Sequence, residues 1–260
     1  MRVVALLSGG KDSLYNMYLA TKEGHEIVAI ANLKPTQEKL ESSDELDSYM
    51  YQTVGHQAIE LIAESLEKPL YRAEITGTPK NKDLDYVVAN GNSSTGGKPD
   101  EVEQLFSLLE DIRHKHNVQF DAVSVGAIAS SYQKSRVASI CERLNLTMLA
   151  YLWEREQDQL LQDMIDNNFR AILIKVACMG LTKQHVGMSI SEMQPHLRKI
   201  HSDYNCNICG EGGEYETLVL DCPLYKKQLV LDEFEVIRHS EDVFAPVYYM
   251  RPIRMSLTAK

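Results

Sequence analysis

The chain has no apolar run long enough to cross a membrane, and the run at its start covers only Val3–Leu7. The apolar core of a secretory leader needs about 7–15 residues, so this run does not predict export. The five cysteines are odd in number, which fits thiols in a reducing compartment better than a secreted disulfide scaffold. These absences predict a cytoplasmic protein that makes no contact with a membrane.

Positive charge is also scarce, with 27 Lys and Arg against 37 Asp and Glu and a formal net charge of −10. A nucleic-acid partner is therefore not expected, because binding to a phosphate backbone needs a positive field. No internal repeat or heptad pattern is present. A length of 260 residues suffices for one large domain or two smaller ones, and the sequence leaves a homo-oligomer open.

A short loop with two glycines follows the first apolar run and reads SGGKDS at residues 8–13. The apolar spacing after it predicts a helix, so the loop joins a buried strand to a helix N-terminus. Unpaired backbone N–H groups and the close approach that glycine permits make this a candidate phosphate site. The kinase-type spacing G-x-x-x-x-G-K-[ST] is absent, and the loop instead resembles the SGGxDS signature of ATP pyrophosphatases. An ordinary strand–helix turn with a capping serine is the alternative.

Strand-like and helix-like patterns alternate along residues 1–180 and predict an α/β fold, a doubly wound parallel sheet covered on both faces. The six predicted strands cover residues 3–7, 27–31, 70–75, 122–126, 148–150 and 171–176. Residues 181–260 predict a smaller C-terminal α+β region on the substrate side, with a helix at 189–200 and short strands after it. Residues 76–99 are polar and glycine-rich, and predict a flexible insertion within the ATP-binding domain.

A second loop, residues 126–136, ends the fourth predicted strand at the sheet edge where ligands of such folds bind. Gly126 gives access to the backbone, and Lys134 and Arg136 place positive charge on the first turns of the next helix. A solvated helix start with scattered charge is the alternative.

Three glutamates and three glycines crowd the segment 210–217. A carboxylate cluster of this kind can bind a cation, hold ammonium or act as a general base. The candidates are Glu211, Glu214 and Glu216, and a plain acidic loop is the alternative.

Two further stretches carry weaker signals. Cys206 and Cys209 form a C-x-x-C pair that suggests metal or redox chemistry, but no second ligand pair accompanies them. Residues 44–56 crowd acids, tyrosines and His56 around a predicted helix entry. By themselves they do not require a function: acids are favoured by the dipole at a helix N-terminus, tyrosines pack, and a lone histidine is more often structural than catalytic.

These segments together resemble the diphthine–ammonia ligase family of the N-type ATP pyrophosphatase superfamily (PP-loop, adenine nucleotide alpha hydrolase-like). The matching segments are SGGKDS at 8–13, DELDSYMYQTVGH at 44–56, VGAIASSYQKSRV at 125–137, LAYLWER at 149–155 and CGEGGEYETLVLDCP at 209–223. The first marks only the superfamily, whereas the second and the last are more specific. The resemblance covers nearly the whole chain. It implies the single-domain form of a ligase that uses ATP to amidate diphthine on translation elongation factor 2, through an acyl-adenylate.

The resemblance also implies roles for single residues. Lys11 and Asp12 are expected in catalysis, with Mg²⁺ on Asp12, and Glu214 is a catalytic candidate on its chemistry alone. Residues expected to contact ATP are Ser8, Gly9, Gly10, Lys11, Asp12, Ser13, Ala31, Leu33 and Gly126. Residues expected to contact diphthine or ammonium are His56, Tyr132, Lys134, Arg136, Glu211 and Glu216. The two glutamates are assigned, like Glu214, on their chemistry and not by the resemblance. Ser131 stands where the family pattern has an acid, so no carboxylate role is expected there.

Two other classes of protein stay open at this point. A tRNA-thiolating enzyme would use the same loop to adenylate a base and Cys206 and Cys209 to carry the sulfur, although the acidic balance stands against it. A nucleotide sensor would bind ATP but release neither AMP nor pyrophosphate.

Overall fold

A computed structural model describes residues 1–36, 58–75, 101–240, 242 and 244–260. Five strands form a parallel sheet in the order β3-β2-β1-β4-β5. They are β1 Arg2–Leu6, β2 Glu26–Pro35, β3 Leu70–Ile75, β4 Ala122–Ser124 and β5 Thr147–Leu149. The strand order reverses between β1 and β4, which is the switch point where doubly wound sheets bind ligands. The predicted α/β class is confirmed.

Helices cover both faces of the parallel sheet. They are α1 Lys11–Lys22, α2 Ala58–Leu66, α3 Glu101–His114, α4 Ser131–Arg143 and α5 Gln157–Asp166. Successive strand residues point to opposite faces, so the apolar run of β1 is buried on both. Val3 and Ala5 pack in the same core as α1 and α2, whereas Val4 packs with α3 and α4.

A second, antiparallel sheet has the strand order β7-β6-β9-β8 and carries α6, Ile190–Tyr204. Its strands are β6 Arg170–Val176, β7 Tyr215–Asp221, β8 Lys227–Arg238 and β9 Tyr248–Ala259. The prediction of a sixth parallel strand at 171–176 is wrong, because β6 pairs antiparallel with β7 and β9. An apolar run predicts a buried strand, but it does not select the sheet in which that strand pairs.

The two sheets share one core, in which Leu218 and Leu229 of the second sheet belong to the same cluster as Leu14 and Ile59. The division into residues 1–180 and 181–260 stays a proposal. Because β6 pairs with strands of the second sheet, a domain boundary before Arg170 fits the structure better. Within the described ranges, no helix combines the length and apolar character needed to span a membrane. The motif at 44–56 with His56, and the segment 76–99, lie outside the described residues.

Candidate active site

A cavity of about 580 Å³ opens at the carboxyl ends of β1 and β4. The loop at 8–13 lines it, together with residues of β6, β7 and the loop at 210–213. An apolar part of the wall is formed by Ala31, Leu33, Leu105, Val125 and Val137. The cavity therefore joins an apolar pocket, suited to a base, to a polar loop suited to phosphates.

Most of the predicted site residues line this cavity. Those that do are Ser8, Gly10, Lys11, Asp12, Ser13, Ala31, Leu33, Gly126, Tyr132, Glu211 and Glu216. Those of the described residues that do not are Gly9, Lys134, Arg136 and Glu214. Segments 8–13 and 210–217, separated by about 200 positions in the sequence, thus meet at one site.

Hydroxyl groups and one glycine hold the loop at 8–13 in shape. Ser8 Oγ lies 3.1 Å from Ser13 Oγ and accepts a hydrogen bond from the Gly10 N–H at 3.2 Å. Gly9 has φ +90°, a conformation that residues with a Cβ rarely adopt, and a Cβ there would lie 3.2 Å from Ile59 Cδ1. Gly9 therefore permits the turn and packs against α2, whereas Gly10 lines the cavity.

Lys11 is buried, with only 2% of its surface exposed, and a neighbouring carboxylate balances its positive charge. Nζ donates to the two carboxylate oxygens of Asp12 at 3.0 and 2.9 Å and to the Cys209 carbonyl at 2.5 Å. It also lies over the ring of Tyr215, 5.2 Å from the centroid. Burial has the largest single effect and by itself would lower the pKa of Lys11, but Asp12, Tyr215 and Cys209 together outweigh it and raise that pKa, so the ammonium stays charged.

The second sheet is hydrogen-bonded directly to the loop at 8–13. The backbone N–H of Lys11 donates to Thr217 Oγ1 at 3.0 Å, and the N–H of Val219 donates to the Gly9 carbonyl at 3.1 Å. Thr217 also lines the cavity. Sequence reasoning missed Thr217, although it directly follows the glutamate-rich segment.

Gly126 brings the end of β4 against the start of α1. A Cβ at this position would lie 2.6 Å from both the Asp12 carbonyl carbon and the Ser13 nitrogen. Any larger residue would force the two segments apart and deform the phosphate loop. Gly126 thus shapes the cavity that it lines.

Glu211 links the loop at 210–213 to the loop before α4. Its Oε1 accepts hydrogen bonds from three consecutive backbone N–H groups, those of Ile128, Ala129 and Ser130, at 3.1, 3.0 and 2.9 Å. Burial, and then repulsion from Asp12, raises the pKa of Glu211, and the three hydrogen bonds act in the opposite direction. Oε1 of Glu211 therefore has a structural role. The expected contact of Glu211 with ammonium or diphthine stays a prediction.

Glu214 has its own loop contacts and borders a different space. Its Oε1 accepts from the Asn207 N–H at 2.9 Å, and its Oε2 accepts from the Gly212 N–H at 2.8 Å. It lines a second cavity of about 480 Å³, which also borders Glu211 and His201. Glu214 thus holds the loop at 207–214 in shape without lining the first cavity.

The structure places Lys134 and Arg136 away from the first cavity. The Lys134 ammonium lies over the ring of Trp153, 3.8 Å from the centroid. Arg136 is fully buried, and its guanidinium stacks on the ring of Tyr132 and donates to the Tyr132 carbonyl at 3.1 Å. Both long side chains fold back onto aromatic neighbours, which a helical spacing alone did not reveal.

Lys175 of β6 lines the cavity instead. Its side chain is 12% exposed, and its Nζ lies 3.4 Å from Glu216 Oε1. Sequence reasoning missed this residue because it took 171–176 as a plain buried strand. A lysine inside such an apolar run was the signal that could have found it.

The cysteines do not form the pair that the C-x-x-C spacing suggested. Cys206 forms a disulfide with Cys178, so the expectation of thiols is wrong for these two and holds for Cys141, Cys209 and Cys222. The buried thiol of Cys209 donates to the Gln157 carbonyl at 3.2 Å. Burial raises the pKa of Cys209 to about 12, so this thiol is a poor nucleophile or metal ligand. In the part of the chain that the structure describes, no group of three or more His, Cys, Asp or Glu side chains is arranged to hold a metal ion.

Two family models together match nearly the whole chain: Diphthamide synthase N-terminal domain at residues 1–90 and 83–148, and Diphthamide synthase C-terminal domain at 156–249. A protein of Mus musculus named diphthine–ammonia ligase is 51% identical over 261 residues, covering 100% of this chain and 94% of that protein. A Homo sapiens protein of the same name is 49% identical over the same shares. A longer Saccharomyces cerevisiae protein of that name is 43% identical, covering 87% of this chain and 34% of its own length. The resemblance carried by the motifs is confirmed, and the chain belongs to the diphthamide synthase family.

Proposed function

We propose that this protein is a diphthine–ammonia ligase, which uses ATP to convert the carboxylate of diphthine into an amide. The observation that carries the proposal is the meeting of the SGGKDS loop and the glutamate-rich segment at one cavity. The full-length identity of about 50% to proteins of that name supports the same reaction. We further propose that the substrate protein is elongation factor 2, that the second substrate is ammonium, and that the reaction takes place in the cytoplasm.

The first step forms an acyl-adenylate. A carboxylate oxygen of diphthine attacks the α-phosphorus of ATP, the bond from that phosphorus to the β-phosphate oxygen breaks, and its electron pair leaves with pyrophosphate. Negative charge grows on the departing group, so fixed cations and N–H donors around it lower the barrier. The loop at 8–13 and the charged Lys11 next to it supply these groups.

The second step makes the amide. The nitrogen of ammonia attacks the acyl carbon, AMP leaves with the electron pair of the C–O bond, and the nitrogen loses a proton. A cavity with apolar walls at Ala31 and Leu33 holds the adenosine and limits access of water, which would otherwise hydrolyse the adenylate. Glu211 and Glu216 line the same cavity, which is why they stay our candidates for contact with ammonium or the cationic part of diphthine.

Asp12 fits a role in holding magnesium. Mg²⁺ takes oxygen ligands and is commonly bound by one or two carboxylates together with substrate phosphates. The Asp12 carboxylate lines the cavity and is 28% exposed, so it can reach both a metal ion and the Lys11 ammonium. When bound, the ion would neutralise charge on the phosphates.

The test is a reaction with purified protein, ATP, ammonium and elongation factor 2 that carries diphthine. We expect AMP and pyrophosphate in equal amounts and, by mass spectrometry, the amide in place of the acid. Omission of ammonium should abolish the amide. Absence of AMP in the complete mixture would overturn the proposal.

The tRNA-thiolation alternative is not favoured. It needs Cys206 and Cys209 as sulfur carriers, but Cys206 is bonded to Cys178 and the Cys209 thiol is buried. Tight, salt-dependent binding of tRNA would revive it.

A further inference from the structure

Thr217 lies in the wall of the first cavity and is buried, with only 3% of its surface exposed. Its Oγ1 accepts the backbone N–H of Lys11 at 3.0 Å, so the hydroxyl lies directly beside the loop at 8–13. The bond crosses from β7 of the second sheet to the first residue of α1. The fold therefore places one polar group of the second sheet at the start of this helix.

The hydroxyl of Thr217 uses only part of its hydrogen-bonding capacity. A threonine hydroxyl can accept hydrogen bonds and also donate one. Oγ1 accepts the Lys11 N–H, but within the ranges that the structure describes no atom accepts the hydroxyl hydrogen of Thr217. A buried donor without an acceptor is costly, and native structures nearly always supply one. Because Thr217 lines the cavity, the acceptor is a molecule in that cavity: water, or the ligand that displaces it.

The surroundings of the hydroxyl favour an anionic acceptor. It lies at the N-terminus of α1, a helix of 12 residues, where the dipole attracts negative charge and the N-cap glycine has no side chain to cap the first N–H groups. The Asp12 carboxylate is paired with the Lys11 ammonium at 2.9 Å. The Glu216 carboxylate is paired with the Lys175 ammonium at 3.4 Å. Each of these two carboxylates thus has its own cation beside it and does not exclude an anion from the hydroxyl.

We propose that the Thr217 hydroxyl donates a hydrogen bond to an oxygen of the β- or γ-phosphate of ATP, and that pyrophosphate keeps this bond as it leaves. The inference rests on the proposed use of ATP, in which the loop at 8–13 holds the pyrophosphate end. Oγ1 of Thr217 then has two roles, as acceptor of the Lys11 N–H and as donor to the leaving group. A hydrogen bond to a phosphate oxygen strengthens as negative charge grows there, so it favours the break between the α-phosphorus and the β-phosphate oxygen.

Calorimetric titration of the full chain with ATP, pyrophosphate and AMP, in the presence of Mg²⁺ and without any protein substrate, tests the proposal. For Thr217→Val we expect the Kd of ATP and of pyrophosphate to rise about 10- to 100-fold, the range for a lost hydrogen bond to a charged group. The Kd of AMP should stay within about twofold, since AMP lacks the β- and γ-phosphates. Thr217→Ser keeps the hydroxyl and should stay within about threefold of the parent for all three.

A matched control is Thr258→Val, which removes the hydroxyl of an exposed threonine of β9 that does not line the cavity. It should leave all three affinities unchanged. Unchanged pyrophosphate affinity in Thr217→Val, with normal binding by the parent, would overturn this inference alone. An equal loss of AMP affinity would also overturn it, because the hydroxyl would then act on the α-phosphate or the adenosine. A parent that bound neither ATP nor pyrophosphate would overturn the proposed function as well.

Amide hydrogen exchange of the ligand-free protein, followed by NMR, separates a lost contact from a deformed loop. Thr217→Val also removes the acceptor of the Lys11 N–H, but other bonds of the loop remain, such as that from the Val219 N–H to the Gly9 carbonyl. We expect faster exchange at Lys11 and unchanged exchange at the other amides of the loop. Faster exchange along the whole loop would assign the loss of affinity to loop shape and overturn the proposal.

Discussion

The backbone N–H of Lys11 and the hydroxyl of Thr217 meet at 3.0 Å, although 206 positions separate them in the sequence. Lys11 is the first residue of α1, and the first N–H groups of a helix have no partner within the helix. A threonine of β7 satisfies one of them, so the second sheet fixes the start of α1 and the loop at 8–13. The two halves of the chain thus form one site.

Replacement of Thr217 by valine tests this bond. Valine keeps the shape of threonine but cannot accept the Lys11 N–H, which would be left buried and unpaired. We expect the free energy of unfolding to fall by about 1–3 kcal/mol. Urea denaturation followed by circular dichroism measures the change. Thr217→Ser keeps the hydroxyl and should lose less, and a valine variant as stable as the parent would show that the bond contributes nothing.

Asp12→Asn should remove most of the AMP formation. Asparagine binds Mg²⁺ much more weakly than a carboxylate does, so the charge on the leaving group loses the compensation that the ion would supply. We expect a decrease on the order of 10²–10³-fold in the rate of AMP release with diphthine-modified elongation factor 2 and ammonium. Asp111→Asn, at an exposed ion pair with Lys115, is the control and should keep full activity. Full activity in Asp12→Asn would place the active site elsewhere.

Glu211→Gln should change how stability depends on pH. The pKa of Glu211 is raised in the folded protein, by burial first and by Asp12 second, so above the ordinary pKa of 4.5 the folded state holds its proton more strongly than the unfolded state. Stability of the parent therefore falls as pH rises from 4.5 through the raised pKa, relative to the glutamine variant. Unfolding in urea at a series of pH values measures this difference. Parallel curves for the two proteins would contradict the raised pKa.

Glu214→Gln should impair amide formation more than ATP binding. Each oxygen of Glu214 accepts a backbone N–H, from Asn207 and Gly212, so a glutamine must turn its NH₂ group towards one of them. The loop then loses a hydrogen bond, and we expect amide formation to fall by about tenfold. Calorimetry measures the affinity for ATP, and mass spectrometry of the product measures amide formation. An equal loss in both would argue against a role on the substrate side.

Lys134→Gln should leave ATP affinity unchanged. The Lys134 ammonium lies over the Trp153 ring rather than in the cavity. Loss of this contact should lower the free energy of unfolding by about 0.5–1 kcal/mol. Calorimetry and urea denaturation separate the two effects, and a clear loss of ATP affinity would return Lys134 to the phosphate site.

The local patterns of the sequence predicted the parallel sheet and the loop at its edge, because both depend on near neighbours in the chain. The run Val3–Leu7 followed by SGGKDS specifies a buried strand, a tight turn and a helix start within about a dozen residues. The prediction for 171–176 gave a strand but the wrong sheet. Its partners are the cross-strand neighbours in β7 and β9, and pairing with distant strands leaves little trace in a local apolar pattern.

In the candidate site, too, local signals predicted some residues correctly, whereas packing between distant residues decided others. Lys11, Asp12 and Gly126 were predicted because glycines and charges next to a strand end are a local signal. Lys134 and Arg136 were expected at the cavity on equal grounds, but they lie against Trp153 and Tyr132. The direction of a long side chain depends on which aromatic ring lies within reach, and that is settled by packing.

The sequence by itself determined that a glycine loop of the SGGxDS type joins a buried strand to a helix, that a parallel sheet carries it, and which family the motifs resemble. Only the tertiary structure decided that β6 and β7 help to form the cavity, with Thr217 hydrogen-bonded to the loop at 8–13 and Lys175 among the lining residues. The physical reason is that a shared core holds the two sheets together, with Leu14 and Ile59 in the same cluster as Leu218. Contacts across that core join residues far apart in the chain, and no local pattern records them.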